Sequence, residues 1–255
     1  MTQVTLVTGA SAGLGERFAQ QLASEHKNLV LVARRADKLE ILAAELRKTY
    51  SVDIFVEAAD LSVPGAVKNL MARLTNQNLE VECLINNAGF GLNGNFAELD
   101  GEKQSAMITL NCTALTELCH AVLPAMIARK SGSILNVAST AAFQSGPLMA
   151  VYYASKAYVL SFSEALHEEV KQHGVHVTAL CPGPTATEFF SQADMGNSLL
   201  VKLARGPDQV VADGLRALKN NRAIVISGML NKLLAQSTRF TPRFITRKLA
   251  KSLQA

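Results

Sequence analysis

Tyr152 and Lys156 stand four residues apart in a helical pattern that continues through Leu160, Ala165 and His167. That spacing puts both side chains on one helix face, a turn apart. A free phenol, with a pKa of ~10, is a poor acid–base group at neutral pH. An ammonium ~5 Å away, at an effective dielectric of ~20, favours the phenolate by ~3 kcal/mol, or about two pKa units. Such a shift brings the hydroxyl into the range useful for general acid–base work, although the same spacing also suits a tyrosine and a lysine on a solvated helix face. Ser139 follows the strand-like run Ser133–Ala138. A hydroxyl there can bond a substrate oxygen as negative charge develops on it. Tyr153 is offset by one position, faces elsewhere and is not the acid.

A second group of residues suits a different chemistry. Gly9, Gly13 and Gly15 follow the run Val4–Thr8 and open a helix at Leu14. Glycines let the backbone turn sharply and approach a pyrophosphate, and the helix N-terminus offers free N–H groups and positive dipole. The spacing is GxxxGxG rather than GxGxxG. The next strand-like run ends Val32-Ala33-Arg34-Arg35, with no carboxylate to take a ribose 2′-hydroxyl. Guanidinium forks suit a 2′-phosphate, and Ser11 can add a hydroxyl contact. These residues point to NADP(H) in preference to NAD(H).

The elements that must position both groups are legible as alternation. Apolar runs at Val4–Thr8, Leu29–Ala33, Asp53–Glu57, Val81–Asn86, Ser133–Ala138, Val175–Cys181 and Ala223–Ser227 are separated by helical patterns. Continuous rather than alternating hydrophobicity marks strands buried on both faces. Strand–helix alternation implies a parallel sheet with helices on both sides and right-handed crossovers. Ligands in such sheets bind beyond the carboxyl ends of the strands, where the chemistry-bearing residues lie. No repeat or low-complexity linker divides the chain.

The segment Thr8–Gly15, TGASAGLG, resembles the TGxxxGxG opening of the short-chain dehydrogenase/reductase family. Further family landmarks recur in order to about Thr187: Asp60-Leu61, Asn86-Asn87-Ala88-Gly89, Asn111, Ser139, Tyr152-x-x-x-Lys156 and Pro182-Gly183. The resemblance implies an α/β fold, a single Rossmann domain with a seven-stranded parallel sheet. It implies that Asp60 and Leu61 meet the adenine, and that Asn87, Ala88 and Gly89 line the adenosine ribose. Thr185 and Thr187, after Pro182-Gly183, would hold the carboxamide. Lys156 would also bond the nicotinamide ribose, and Asn111 would hold a water linking Lys156 to solvent. The activity implied is hydride transfer between a nicotinamide and a ketone or secondary alcohol. A cofactor-sensing module that had lost catalysis would lack Ser139, Tyr152 or Lys156, and all three are present.

Composition narrows the setting. The chain has 255 residues, is 49% hydrophobic and carries a net charge of +4. That charge is uneven. Residues 214–255 hold nine basic side chains and no acid, leaving sixteen bases against all twenty-one acids elsewhere. A basic tail on an acidic body does not read as nucleic-acid binding. Cys83, Cys112, Cys119 and Cys181 show no metal-ligand spacing and read as buried thiols of a reducing, cytoplasmic compartment. No metal site is expected, and no run approaches the ~18 consecutive apolar residues of a membrane span.

Residues 1–228 are expected to form the dinucleotide-binding and catalytic unit, and 229–255 a basic helical extension. Within the former, 188–207, with Phe189, Phe190, Met195, Leu199 and Leu200, read as a lid; Phe90, Phe143 and Met149 could add apolar walls. An apolar ketone, including 3-oxoacyl and hydroxysteroid types, fits such a site. The resemblance also implies a homodimer or homotetramer through helices in Glu102–Arg129 and Tyr152–His173; the apolar Val122, Met126, Val159 and Phe162 permit such a contact or could equally face the sheet. In the tail, Ile245, Leu249 and Leu253 repeat at four, opposite Arg243, Arg247 and Lys251. Packing of this stripe on the enzyme body is expected in preference to peripheral contact with an anionic membrane, where catalysis would be secondary.

Overall fold

The computed structural model describes residues 1–188 and 206–254. Its centre is a seven-stranded, all-parallel sheet in the order β3-β2-β1-β4-β5-β6-β7. The strands are β1 (Thr2–Thr8), β2 (Leu29–Ala33), β3 (Ile54–Ala58), β4 (Leu79–Asn86), β5 (Gly132–Val137), β6 (Val175–Cys181) and β7 (Ile224–Ile226). Each expected run is found, with ends shifted by up to two residues. Thr2 and Gln3 extend β1 because they pair with Leu79 and Glu80 of β4.

Alternate strand residues serve two separate cores. Val4, Leu6, Val30, Val32 and Ile134 pack on one face under α3 (Ala66–Asn76), α5 (Leu115–Ala128) and α6 (Ala150–Val170). Val7, Leu29, Leu31, Leu135 and Leu180 pack on the other, under α1 (Gly13–Ser24), α2 (Ala36–Tyr50) and α7 (Pro207–Lys219). Phe18 of α1 is wholly buried. Side chains of this kind contribute ~1.5–3 kcal/mol each.

The expected helix Glu102–Arg129 is interrupted. It begins as α4 (Gly101–Ile108), capped by the Asp100 carboxylate accepting from Glu102 N and Lys103 N, and passes through a π turn, Thr109–Ala114, into α5. The whole run is long and apolar enough to cross a bilayer. Met107, Leu118, Val122 and Met126 are nonetheless buried in the protein core. This decides between the two orientations open to these residues: Val122, Met126 and Val159 are buried in the core and offer no outer surface. Only Phe162 is partly outward, stacked on exposed Tyr158 with ring centroids 5.8 Å apart.

Beyond β7, Gly228 at φ +89° turns the chain into α8 (Met229–Ser237), followed by α9 (Arg243–Gln254). The order of strands reverses between β1 and β4, so a crevice opens above their carboxyl ends.

Candidate active site

β5 ends at Val137, and two residues later Ser139 caps a short 3₁₀ turn, its hydroxyl accepting from Ala141 N at 3.1 Å. The first turn of α6 carries Tyr152, which hydrogen-bonds the Ser139 hydroxyl. One turn on, Lys156 is 94% buried; its Nζ donates to Val137 O at 2.8 Å and lies 5.8 Å from the Tyr152 ring centre. The three side chains therefore meet at the mouth of β5, as their spacing implied.

Their electrostatics depart from expectation. Burial pushes the Tyr152 phenol up to about 12, against the opposing Ser139 hydrogen bond, and Lys156 does not reverse this. The reason is symmetric. Burial also pushes the Lys156 ammonium down to about 8, because both charged forms lose solvation in the same place. Tyr152 therefore rests as a firmly protonated donor at neutral pH.

A polar chain fixes α6 against the sheet. Asn86 Nδ2 donates to Asn136 Oδ1 at 2.9 Å, Asn136 Nδ2 to Ser163 Oγ at 2.9 Å, and Ser163 Oγ to Val159 O at 2.6 Å. Asn111 does the same from the π turn. Its Nδ2 donates to Phe90 O and to Ser155 Oγ, both at 3.0 Å, while Oδ1 accepts from Phe90 N at 3.1 Å. The Asn111 side chain thus ties α6 to the segment after β4, and it does not line the cleft. A Cβ on Gly89 would lie 2.8 Å from Asn111 Oδ1 and 3.5 Å from Lys156 Nζ, so only glycine admits this approach. π turns of this kind recur at functional sites, and neither this one nor the Asn136–Ser163 link is visible from helical periodicity.

The glycine turn fits a dinucleotide. Gly9 and Gly13 have φ of +66° and +60°, in the left-handed region that glycine occupies without strain. A Cβ on Gly15 would sit 2.2 Å from Gly9 O. Ala12 offers no side-chain cap to α1, which leaves the first-turn N–H groups for an anion. A cleft of about 800 Å³ runs from here past Leu14, Asp60, Leu61, Asn87, Ala88 and Gly89 to Ser139, Tyr152 and Lys156. Pro182, Gly183, Thr185 and Thr187 close its far side. Gly15 and Asn111 stand behind the lining, while every other proposed site residue is on it.

At the β2 end, Arg35 donates from Nε and Nη2 to Ser11 Oγ at 3.2 and 3.1 Å. Arg34 is different: it is largely exposed and its guanidinium lies 4.0 Å from Asp60. Glu188, which spacing did not single out, bridges Arg35 at 3.0 Å and Lys38 at 3.1 Å. These cations hold its carboxyl below the usual range.

The apolar wall comes mostly from α8. Leu230, Leu234, Ala235 and Thr238 face the same cleft as Tyr152, joined by Phe90 and Met149. Asn231 seats the helix: a Cβ on Gly183 would lie 2.3 Å from its Nδ2, which donates to Ser227 O at 2.7 Å. Sequence reading missed this wall, placing α8 in an extension; the repeat of Leu230 and Leu234 at four was its available signal. Phe143 does not line the cleft, since it turns to a separate hollow beside β7. The proposed lid residues Phe189, Phe190, Met195, Leu199 and Leu200 lie outside the described residues.

Cys119 and Cys181 are buried and Cys83 and Cys112 half-buried; burial pushes Cys119 and Cys181 up to about 12 and Cys83 up to about 11. Such thiols are poor nucleophiles. Among the described residues, no group of three or more His, Cys, Asp or Glu is placed to hold a metal.

Comparison with known proteins agrees with this geometry. Residues 3–197 match the family described as short chain dehydrogenase. A 7β-hydroxysteroid dehydrogenase of Collinsella aerofaciens is 31% identical over 89% of this chain and 86% of its own length. A short-chain dehydrogenase from Sphingobium yanoikuyae, solved with NADPH, is similar with a TM-score of 0.84 at 32% identity, covering 94% of this chain and 93% of that one. A bulky-bulky ketone specific alcohol dehydrogenase from Comamonas testosteroni gives 0.78 at 29%, with the same coverage. The chain belongs to the short-chain dehydrogenase/reductase family and is an NAD(P)-dependent oxidoreductase acting on CH–OH and C=O groups.

Proposed function

We propose that this enzyme is an NADPH-dependent reductase of bulky apolar ketones, hydroxysteroid-sized or larger, and that it is a cytoplasmic homodimer or homotetramer. One observation carries the substrate reading: the cleft holding Tyr152, Ser139 and Lys156 is walled on its open side by Leu230 and Leu234 of α8. An apolar wall facing a few convergent polar groups selects an apolar body with one oriented oxygen. The relatives named for a hydroxysteroid and for bulky ketones support the same class.

The nicotinamide cofactor, which the glycine turn and Lys156 would hold, would supply hydride to a carbonyl carbon or accept it in reverse. The chain's own residues handle the oxygen. Ser139 Oγ donates to it and stabilises the developing negative charge. Tyr152 Oη then gives up its proton, a favourable transfer even from a phenol at about 12, because an alkoxide is the stronger base. Lys156, held by Val137 O, keeps a positive charge beneath the phenol as it becomes anionic. The Arg35–Ser11 pair at the β2 end is suited to a 2′-phosphate and supports NADPH over NADH.

Steady-state oxidation of NADPH and NADH should be measured against small aliphatic ketones, steroid ketones, bulky diaryl ketones and long 3-oxoacyl thioesters. A kcat/KM that rises with bulk and favours NADPH is expected. Preference for small polar ketones, or for NADH, overturns the corresponding half of the reading, and a preference for acyl thioesters makes the enzyme a 3-oxoacyl reductase.

A further inference from the structure

The described residues contain fourteen markedly exposed large apolar side chains, and eight of them fall within Met229–Leu249. Met229, Leu233, Phe240, Phe244 and Leu249 are between 55% and 88% exposed. Among the residues of α9 whose burial is described, only Ala250 is buried, and Ile245 and Leu249 are left outside. This corrects the expectation that the Ile245–Leu249 stripe packs on the body; the side chain of Leu253 lies outside what is described.

The charge around these residues has one sign. From Met229 onward the chain has six bases, Lys232, Arg239, Arg243, Arg247, Lys248 and Lys251, and no acid. Two of them, Lys232 and Arg239, continue into a hollow of about 470 Å³ beside β7 that Arg216 and Arg222 also line. Asp213 is the one acid there, and it is engaged by Ser227 Oγ at 2.8 Å. Exposed apolar groups set among bases match an interface whose outer layer is anionic and whose inner layer is hydrocarbon. A second copy of this surface would match poorly, since a symmetric contact would set base against base.

We propose that the α8–α9 surface docks on an anionic lipid bilayer, its apolar side chains entering the interfacial layer and its bases meeting lipid phosphates. The proposal goes beyond the ketone reading and stands without it. Its consequence for the enzyme is geometric. Leu230 and Leu234 belong both to the exposed apolar set and to the cleft lining, so the cleft mouth adjoins the docking surface. An apolar substrate would then pass from bilayer to cleft with little contact with water.

The test is co-sedimentation of the full chain with phosphatidylcholine vesicles, with and without phosphatidylserine, at low and high salt. Two variants on exposed positions outside the cleft accompany it: Phe244→Ser/Leu249→Ser and Arg243→Glu/Arg247→Glu, each checked for unchanged turnover of a water-soluble ketone. Expected is salt-sensitive binding to the anionic vesicles alone, weakened at least roughly tenfold by either variant, because apolar burial and charge attraction add. Absence of binding overturns the proposal. Equal, salt-insensitive binding to neutral vesicles also overturns it, as does loss of self-association in the apolar variant without any vesicle binding, which would make a second copy the occupant.

Discussion

At the α1 end of the cleft the contacts are made by backbone: Gly9 and Gly13 at positive φ, Gly15 pressed against Gly9 O, and the uncapped first turn of α1. At the α8 end they are made by side chains, and Leu230 and Leu234 are 59% and 57% exposed. The first end admits almost no substitution, because a Cβ on Gly15 collides with the Gly9 carbonyl and a side chain at Gly9 or Gly13 is strained at positive φ. The second could exchange one apolar residue for another of different size at small cost. A diphosphate is the same in every reaction the enzyme performs, whereas the body of a ketone varies. On the proposed reading, the end shaped by backbone takes the fixed ligand and the end shaped by side chains takes the one that is chosen. The acid–base trio lies between, positioned by buried hydrogen bonds from Asn111 and Asn136.

The largest effect expected is at the boundary between the two ends. Tyr152→Phe removes the proton donor and leaves the glycine turn intact, so kcat should fall by roughly two to four orders of magnitude. NADPH affinity, followed by fluorescence titration, should stay within about twofold, since no hydrogen bond of the cradle is lost. Near-normal turnover would remove Tyr152 from the chemistry.

Next in size is a change confined to the fixed end. Arg35→Ala should weaken NADPH by about 1.5–3 kcal/mol, the worth of a charge-assisted hydrogen bond, and leave NADH almost unaffected. Calorimetric titration of both nucleotides gives the answer. Equal losses would mean that Arg35 merely supports the fold through its Ser11 contact.

Leu234→Ala probes the adaptable end. Truncating a half-exposed leucine should raise KM for a bulky ketone by about 1 kcal/mol, roughly fivefold, with KM for NADPH and Tm nearly constant. A large drop in Tm would show that α8 is part of the core rather than a replaceable wall.

A separate readout, on stability rather than on ligand binding, is a pH dependence. Lys156 is pushed from 10.5 to about 8 in the folded protein. Between those values the unfolded chain binds the extra proton, so Lys156 lowers stability fully below about 8 and progressively less as pH rises towards 10.5. The stability difference between wild type and Lys156→Met, from urea unfolding, should therefore shift in favour of wild type between pH 8 and 10. A difference that stays flat across this window would mean that Lys156 keeps its ordinary pKa.

Sequence and structure divided the work along a physical line. Every strand, the glycine turn and the meeting of Ser139, Tyr152 and Lys156 at the end of β5 were legible because each follows a local pattern. A buried parallel strand needs a continuous apolar run, a phosphate turn needs glycine at fixed steps, and two groups on one helix face need a spacing of four. What could not be read depends on surroundings that spacing does not contain. The sign of the Tyr152 shift was misjudged because desolvation depends on what covers the phenol, and a pairwise charge argument omits it. The inward turn of Val122, Met126 and Val159 was ambiguous because an amphipathic stripe does not say which surface it meets. The exposure of Ile245 and Leu249, like the return of α8 over the cleft, was settled by how the segment after β7 packs on the body. Local patterns fix backbone conformation and side-chain phase, whereas burial is a property of the whole packed molecule, and it alone decided which apolar faces were core, which were cleft wall and which were left in water.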